Sequence, residues 1–450
     1  MASLFGTDGV RGVANTELTP ELALALGRAV GGWLPGERRS VVVGRDTRPS
    51  GDLLEMALMA GLLSAGAHAL RCGILPTPAV AFLASDLGAG AAAMLSASHN
   101  PVADNGIKLF GADGYKLTDE QQDRIEALLD GPRTGTIPRP TGPEVGRAAF
   151  VEDARQRYLA HVLAALEGAR LDGIKVVVDC AWGASCATTP EALARAGADV
   201  VALNAAPNGD LINVGCGSNA PGVVAAAVRE HGADAGLAHD GDADRVIAVD
   251  ERGSVVDGDA MIALLALELR ERERLPGDLV VTTVMANLGF RLAMRAQGIS
   301  VVETEVGDRA VIEAMRRHGA ALGGEQSGHV IFGEHGTTGD GLLTGLRVLR
   351  RMASSGRPLS ELAAVVTRAP QVLVNVPVRD RSRLDGAERL WKAVAAARDL
   401  LGESGRILVR ASGTEPLVRV MVEAAEESLA RGVAEELATI VEEDLGVRGA

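Results

Sequence analysis

Short apolar runs alternate with longer stretches in which apolar positions return every three or four residues, the paired signature of strands and helices. Residues 40–44, 68–72, 90–95, 174–179, 279–284 and 300–303 read as strands. The run 174–179 has almost no polar break, which suits a parallel strand covered on both faces. Helices are predicted from residue 20 and over 50–65, 152–166, 260–270, 288–297, 309–318 and 342–352. Thr19 supplies an N-cap with Pro20 at the first helical position and Glu21 in the first turn, and Ser50 is placed to cap the next helix. From residue 372 the pattern changes to Val-Leu-Val-Asn-Val-Pro-Val, an alternating half-exposed strand, and the chain ends on an amphipathic helix over 429–444. The order β/α, β/α, β/α and then a smaller α+β segment predicts an α/β protein of several domains. Residues 131–143, rich in Pro, Gly and Thr, read as a linker after the first.

Composition narrows the function classes. The chain has 450 residues, 47% of them hydrophobic but only 2% aromatic, so its cores are aliphatic. A net charge of −14 argues against nucleic acid as a partner, although a local arginine cluster can still hold a small anion. No window is apolar enough to span a bilayer and the N-terminus lacks the features of a signal peptide. Four cysteines without a CxxC pair or zinc spacing suit a reducing compartment. These features together predict a soluble cytoplasmic protein without a membrane partner; either a monomer or a homodimer is compatible with them.

Four polar loops carry the candidate chemistry. The first, Ser96-Ala97-Ser98-His99-Asn100-Pro101, follows a buried strand and offers a candidate serine nucleophile. Strand alternation puts Ser96 and Ser98 on the same side, so spacing does not choose between them. The second, Asp240-Gly241-Asp242-Ala243-Asp244-Arg245, sets three carboxylates at alternate positions, an arrangement that repels itself unless a cation neutralises it. Oxygen-only ligands favour Mg²⁺ or Ca²⁺. An EF-hand is excluded because its glycine position is Arg245 and residues 246–249 continue as a strand. The third, Gly324-Glu325-Gln326-Ser327-Gly328-His329, presents groups that hydrogen-bond sugar hydroxyls or an amine, and it is not a GxSxG elbow. The fourth, Arg410-Ala411-Ser412-Gly413-Thr414-Glu415-Pro416 with Arg419 beyond, makes a phosphate cradle that lacks the Gly-Lys-Ser/Thr of a P-loop.

In this order the four loops resemble the phosphoserine, metal, sugar and phosphate loops of the α-D-phosphohexomutase superfamily, over essentially the whole chain. The resemblance implies three α/β domains with mixed or parallel sheets and a smaller C-terminal α+β domain around a central cleft: residues 1–150, 151–250, 251–365 and 366–450. It implies a phosphoryl carrier at Ser98, Mg²⁺ held by Ser98, Asp240, Asp242 and Asp244, and Lys108 as a general acid/base with Arg11 and His329 beside the sugar. Substrate contacts fall to Arg245, Glu325, Gln326 and Ser327, and the non-reacting phosphate to Arg410, Ser412, Gly413, Thr414 and Arg419.

The segments around Phe5-Gly6-Thr7-Asp8-Gly9, Asp104-Asn105-Gly106-Ile107-Lys108 and Gln326 look like the bacterial branch that converts glucosamine 6-phosphate to glucosamine 1-phosphate for UDP-N-acetylglucosamine and cell-wall synthesis. Glucosamine 1,6-bisphosphate or a similar compound would be intermediate and activator. The alternative is the phosphomannomutase/phosphoglucomutase branch, which usually has Met at position 326, so Gln326 is the expected discriminator. A serine-dependent phosphatase and a non-catalytic sugar-phosphate sensor are more distant readings. Trp182 stands where Asn is expected.

Overall fold

Four sheets divide the chain, and in each of them a polar loop joins two antiparallel neighbours. The structure is a computed structural model and describes residues 4–6, 8–129, 137–412 and 416–446. The first part of the predicted linker, residues 131–136, lies outside the described residues. Two compact units result: Met1–Met285 with Ile299–Val365, and Ala286–Gly298 with Val366–Ala450.

The first sheet contains β1 (Val10–Val13), β2 (Ser40–Arg45), β3 (His68–Ile74), β4 (Ala91–Leu95), β5 (Asp104–Gly111) and β6 (Ala148–Phe150), in the order β1-β5-β4-β2-β3-β6. Strands β4, β2, β3 and β6 run parallel, whereas β5 is antiparallel to both β4 and β1. Every residue of β4 is buried, as its unbroken apolar run requires. Helices α1 (Pro20–Trp33), α2 (Ser50–Ser64) and α3 (Thr77–Asp86) connect the parallel strands. The core is aliphatic: Leu26, Val30, Leu54, Leu58 and Leu62 are each at most 1% exposed. A fully buried side chain of this kind contributes about 1.5–3 kcal/mol.

Thr19 caps α1 as predicted, accepting from the Leu22 N–H at 3.2 Å. Ser50 does not cap α2. Pro49 before it already has helical torsions, so Ser50 is the first helical residue, and its hydroxyl instead accepts from the Asn105 amide at 2.9 Å.

The second sheet, β7 (Lys175–Asp179), β8 (Asp199–Leu203), β9 (Ala235–His239), β10 (Val246–Asp250) and β11 (Val255–Val256), has the order β11-β10-β9-β7-β8. The third, β12 (Leu279–Thr283), β13 (Ser300–Thr304), β14 (Leu322–Gly324) and β15 (Val330–Phe332), has the order β13-β12-β14-β15. Both repeat the plan of the first, with parallel strands ending in an antiparallel partner. The polar loops therefore occupy equivalent places: β4 to β5, β9 to β10 and β14 to β15. The three β/α units share this topology although their sequences show little self-similarity.

The second unit holds β16 (Gln371–Pro377), β17 (Gly405–Ala411) and β18 (Leu417–Ala424), all antiparallel in the order β16-β18-β17, with the helix Glu427–Leu445 against them. The helix Leu288–Ala296 belongs to this unit through buried Glu423, which accepts from the Asn287 amide and the Leu288 N–H, both at 3.0 Å. Trp182 adopts a left-handed conformation with φ of 56°, as does Ala181 at 54°, which explains why Asn suits position 182. The Trp182 carbonyl accepts the Thr47 hydroxyl at 2.7 Å.

Candidate active site

Ser98 sits just past β4 with φ of 52°, a conformation that a serine keeps only when its surroundings hold it. Arg48, wholly buried, is the main support. A guanidinium has five N–H donors, and here five acceptors meet it: the Asp46 carboxylate at 3.0 Å and the carbonyls of Ser98, Asn100, Pro101 and Asp104, three of them at 2.9–3.0 Å. Asn213 also donates to the Ser98 carbonyl at 2.9 Å. The two serines are thereby separated. Ser96 donates to Asp46 at 2.7 Å and accepts from the Ser98 N–H at 2.9 Å, whereas the Ser98 hydroxyl donates to Asp240 at 2.5 Å. Arg48→Met strands a buried Asp46 and four carbonyls, so it is expected to cost about 3–5 kcal/mol of stability. Urea denaturation checks this, and an unchanged midpoint would contradict the role of Arg48 as the support of the loop.

The second loop approaches Ser98 through Gly241, where an added Cβ would lie 2.7 Å from the Ser98 carbonyl oxygen. Asp240, Asp242 and Asp244 are buried, and one carboxylate oxygen from each lies within 4.8 Å of the others. Asp242 Oδ1 and Asp244 Oδ1 are buried without a hydrogen-bond partner among the described residues. Such orphaned anionic oxygens fit a divalent cation, and hard oxygen donors suit Mg²⁺. Burial, reinforced by the charges of Asp244 and Asp242, pushes the Asp240 carboxyl well above the usual range.

Lys108, on β5 opposite Met94, is buried and pairs with Asp242 at 2.8 Å and with Asp244 and Asp8 at 3.2 Å each. Burial alone would lower its pKa, but these three carboxylates outweigh it and hold the ammonium well above its ordinary value. Lys116 bridges Asp8 and Asp308, the latter at 2.5 Å.

The third loop is pinned to the second at Gly328. With φ of +89° it places its hydrogen where a Cβ would meet the Val246 carbonyl oxygen at 2.0 Å. His329 Nε2 accepts the Gly339 N–H at 2.9 Å, leaving Nδ1 3.7 Å from Asp244. Glu325 accepts from the Gly307 N–H at 3.1 Å and the Ser327 hydroxyl at 3.2 Å. Beside these groups lies a cavity of about 500 Å³, lined by Asp8, Arg11, His99, Asp244, Arg245, Asp308, Glu325 and His329 among others. Burial and the neighbouring Arg245 and Arg11 push the His99 pKa down to about 4, so its neutral Nδ1 accepts from Arg245 at 3.1 Å.

The structure thus brings Ser98, Lys108, Arg11, Arg245, Glu325, His329 and the three aspartates to one place. It does not bring Gln326 there. The Gln326 amide donates to Asp257 at 3.3 Å, at the start of the helix Gly258–Glu271, and neither Gln326 nor Ser327 lines the cavity. In the second unit, Arg410 and Arg419 face each other across β17 and β18, and Arg381 donates to the Ser412 carbonyl at 2.6 Å. Burial, then the facing Arg419, lowers the Arg410 pKa, the electrostatics of a place ready for an anion. Gly413 and Thr414 lie outside the described residues. Sequence reading missed Asp8, Asp46, Arg48, Lys116, Asn213 and Asp308. The Arg45-Asp46-Thr47-Arg48 turn at the end of β2 and the Phe5-Gly6-Thr7-Asp8-Gly9 segment were the available signals among them.

The chain matches the description Phosphoglucomutase/phosphomannomutase, alpha/beta/alpha domain I over residues 2–134, domain II over 156–253, domain III over 257–369 and the C-terminal domain over 373–440. It is 56% identical to a phosphoglucosamine mutase of Streptomyces coelicolor, covering 99% of this chain and 100% of that one. A phosphoglucosamine mutase of Rhodococcus opacus is also 56% identical, with 98% and 99% covered. Among solved structures, a phosphoglucomutase/phosphomannomutase family protein from Burkholderia thailandensis superimposes with a TM-score of 0.82 at 24% identity over 99% of both chains. An N-acetylphosphoglucosamine mutase of Aspergillus fumigatus, in complex with GlcNAc-6P and magnesium, gives 0.68 at 21% identity, covering 98% of this chain and 95% of that one. At these identities the two structures show a common fold.

Proposed function

From the premise that the chain belongs to the phosphoglucomutase/phosphomannomutase family through all four of its domains, we propose that it interconverts glucosamine 6-phosphate and glucosamine 1-phosphate. The chemistry rests on one observation: the Ser98 hydroxyl donates into a buried carboxylate triad beside a buried lysine. The choice of sugar rests on the near-full-length phosphoglucosamine mutase relatives.

In this reading the phosphate on Ser98 passes to the free hydroxyl of the bound sugar phosphate, giving glucosamine 1,6-bisphosphate, and Ser98 then takes back the other phosphate. Asp240, Asp242 and Asp244, with the phosphorylated Ser98, would hold Mg²⁺. The ion supplies positive charge against the phosphoryl oxygens. Lys108 enters as an ammonium, so it begins as a proton donor, and it would return as a base only after giving that proton up. Arg11 and His329 flank the sugar, Glu325 accepts from its hydroxyls with Ser327 orienting that carboxylate, and Arg245 faces the phosphoryl group. Gln326 supports the loop through Asp257. Excluding water protects the phosphoserine from hydrolysis. The product would feed amino-sugar and cell-wall precursor synthesis in the cytoplasm. Four buried free cysteines, and the lack of any described helix long and apolar enough to cross a membrane, are compatible with that setting. The division at 1–150, 151–250, 251–365 and 366–450 gives each loop its own domain.

The test is a panel of hexose and hexosamine phosphates assayed for isomer rather than free phosphate, with catalytic bisphosphate present. Glucosamine 6-phosphate should have the highest kcat/KM; a better mannose or glucose phosphate would move the chain to the sister branch. Arg410, Ser412, Gly413, Thr414 and Arg419 would grip the non-reacting phosphate. A lysine cannot reproduce bidentate guanidinium contacts, so Arg410→Lys is expected to raise KM about tenfold, equivalent to about 1.4 kcal/mol. An unchanged KM in Arg410→Ala would remove this anchor.

A further inference from the structure

The cavity beside Ser98 is lined by four carboxylates, which neutral hydroxyls do not require: Asp8, Asp244, Asp308 and Glu325. Three of them are already committed. Asp8 is enclosed by Arg11, Lys108 and Lys116. Asp244 belongs to the metal triad and pairs with Lys108. Glu325 receives one donor on each oxygen, from Gly307 and Ser327, and its remaining lone pairs are assigned to the sugar hydroxyls.

Asp308 differs. It opens the helix Asp308–His318 directly after Gly307, and its side chain is 16% exposed in the cavity wall. Its Oδ2 pairs with Lys116 at 2.5 Å and lies 3.7 Å from His329 Nε2, while Oδ1 makes no hydrogen bond among the described residues. Lys116 pins this carboxylate and Asp8 to one another, so Asp308 is held in place with one oxygen available. An aliphatic amine is largely protonated near neutral pH, and a charge-assisted bond to a carboxylate is stronger than one made by a hydroxyl. Gln326, the expected discriminator between the two sugar branches, points its amide at Asp257 and is not among the residues that line the cavity.

We infer that Asp308 is the specificity-determining residue that receives the ammonium group of the hexosamine phosphate, with Lys116 as the positioning residue behind it. This rests on the amino-sugar reading of the site. A site built around a charged ligand group discriminates against an analogue without it, because its own polar group is then left unpaired.

The experiment compares kcat/KM for glucosamine 6-phosphate and glucose 6-phosphate in wild type, Asp308→Asn and Asp308→Glu. In Asp308→Asn the ratio of the two should fall about tenfold, mainly through KM for the amino sugar, and Asp308→Glu should restore part of it. Both substrates are assayed on the same preparation, so a smaller folded fraction cancels from the ratio. A wild type that prefers glucosamine phosphate together with an Asp308→Asn ratio left unchanged would overturn the role of Asp308 and leave the amino-sugar reading intact. A wild type that prefers glucose phosphate would instead defeat the amino-sugar reading.

A second measurement needs no variant. N-acetylglucosamine 6-phosphate carries no ammonium, and it should compete for the wild-type site about tenfold more weakly than glucosamine 6-phosphate. Equal competition would overturn ammonium recognition.

Discussion

Ser98→Ala is expected to fold normally and to lose mutase turnover by on the order of 10⁴-fold. The substitution removes the hydroxyl that donates to Asp240 and leaves the support of the loop in place, since Arg48 and Asn213 hold the Ser98 backbone carbonyl and not its side chain. Intact-mass analysis of active wild-type protein should show a phosphorylated form that Ser98→Ala lacks. Ser96→Ala is the control. Among the described residues its hydroxyl bonds only Asp46 and the Ser98 N–H, so its loss should cost about 1–2 kcal/mol of stability and leave the phosphorylated form detectable. If Ser98→Ala turned over at the wild-type rate, the carrier would have to lie elsewhere.

Removing divalent cations should be comparably severe, lowering turnover by about 10³-fold or more, with Mg²⁺ restoring it. Asp242→Asn should produce the same loss without recovery, because it converts one of the orphaned carboxylate oxygens into a neutral group. The electrostatics also give the sign of a pH dependence. Burial and the Asp244 and Asp242 charges raise the Asp240 carboxyl, so the cation-free protein tends to hold a proton there. Cation binding needs the carboxylate and expels that proton. Mg²⁺ affinity is therefore expected to strengthen as pH rises and weaken as it falls. Calorimetric titration in two buffers of different ionisation enthalpy should reveal the released proton. Full turnover after exhaustive chelation would contradict the metal role, and pH-independent affinity would contradict the protonated Asp240.

The second unit shows how electrostatic pressure and local pattern combine. Two arginines face each other on adjacent strands, and like charges placed directly opposite repel. Serine, glycine and threonine between the two strands spell a phosphate cradle in sequence.

What the sequence by itself determined is local. The four chemical loops are each contiguous, so residue type and spacing were enough to recognise a nucleophile candidate, a carboxylate triad, a sugar loop and a phosphate cradle. The buried run of β4 and the Thr19 cap of α1 were legible for the same reason, because strand burial and helix initiation are decided by neighbours a few residues apart. Ser50 failed as a cap because the torsions of Pro49, one residue away, had already begun the helix.

What only the tertiary structure decided is which groups meet. Arg48 reaches carbonyls about 50 residues away because β2 and β4 are adjacent and parallel. Lys108 meets Asp242 across 134 residues because the equivalent loops of two sheets converge. Period-two and period-3.6 patterns say which face of an element is buried but not what covers it. The same limit explains why Asp308, one residue ahead of the helix predicted from sequence, emerges as a cavity group. It also explains why Gln326, prominent in sequence, is turned toward Asp257 by the backbone that positions it.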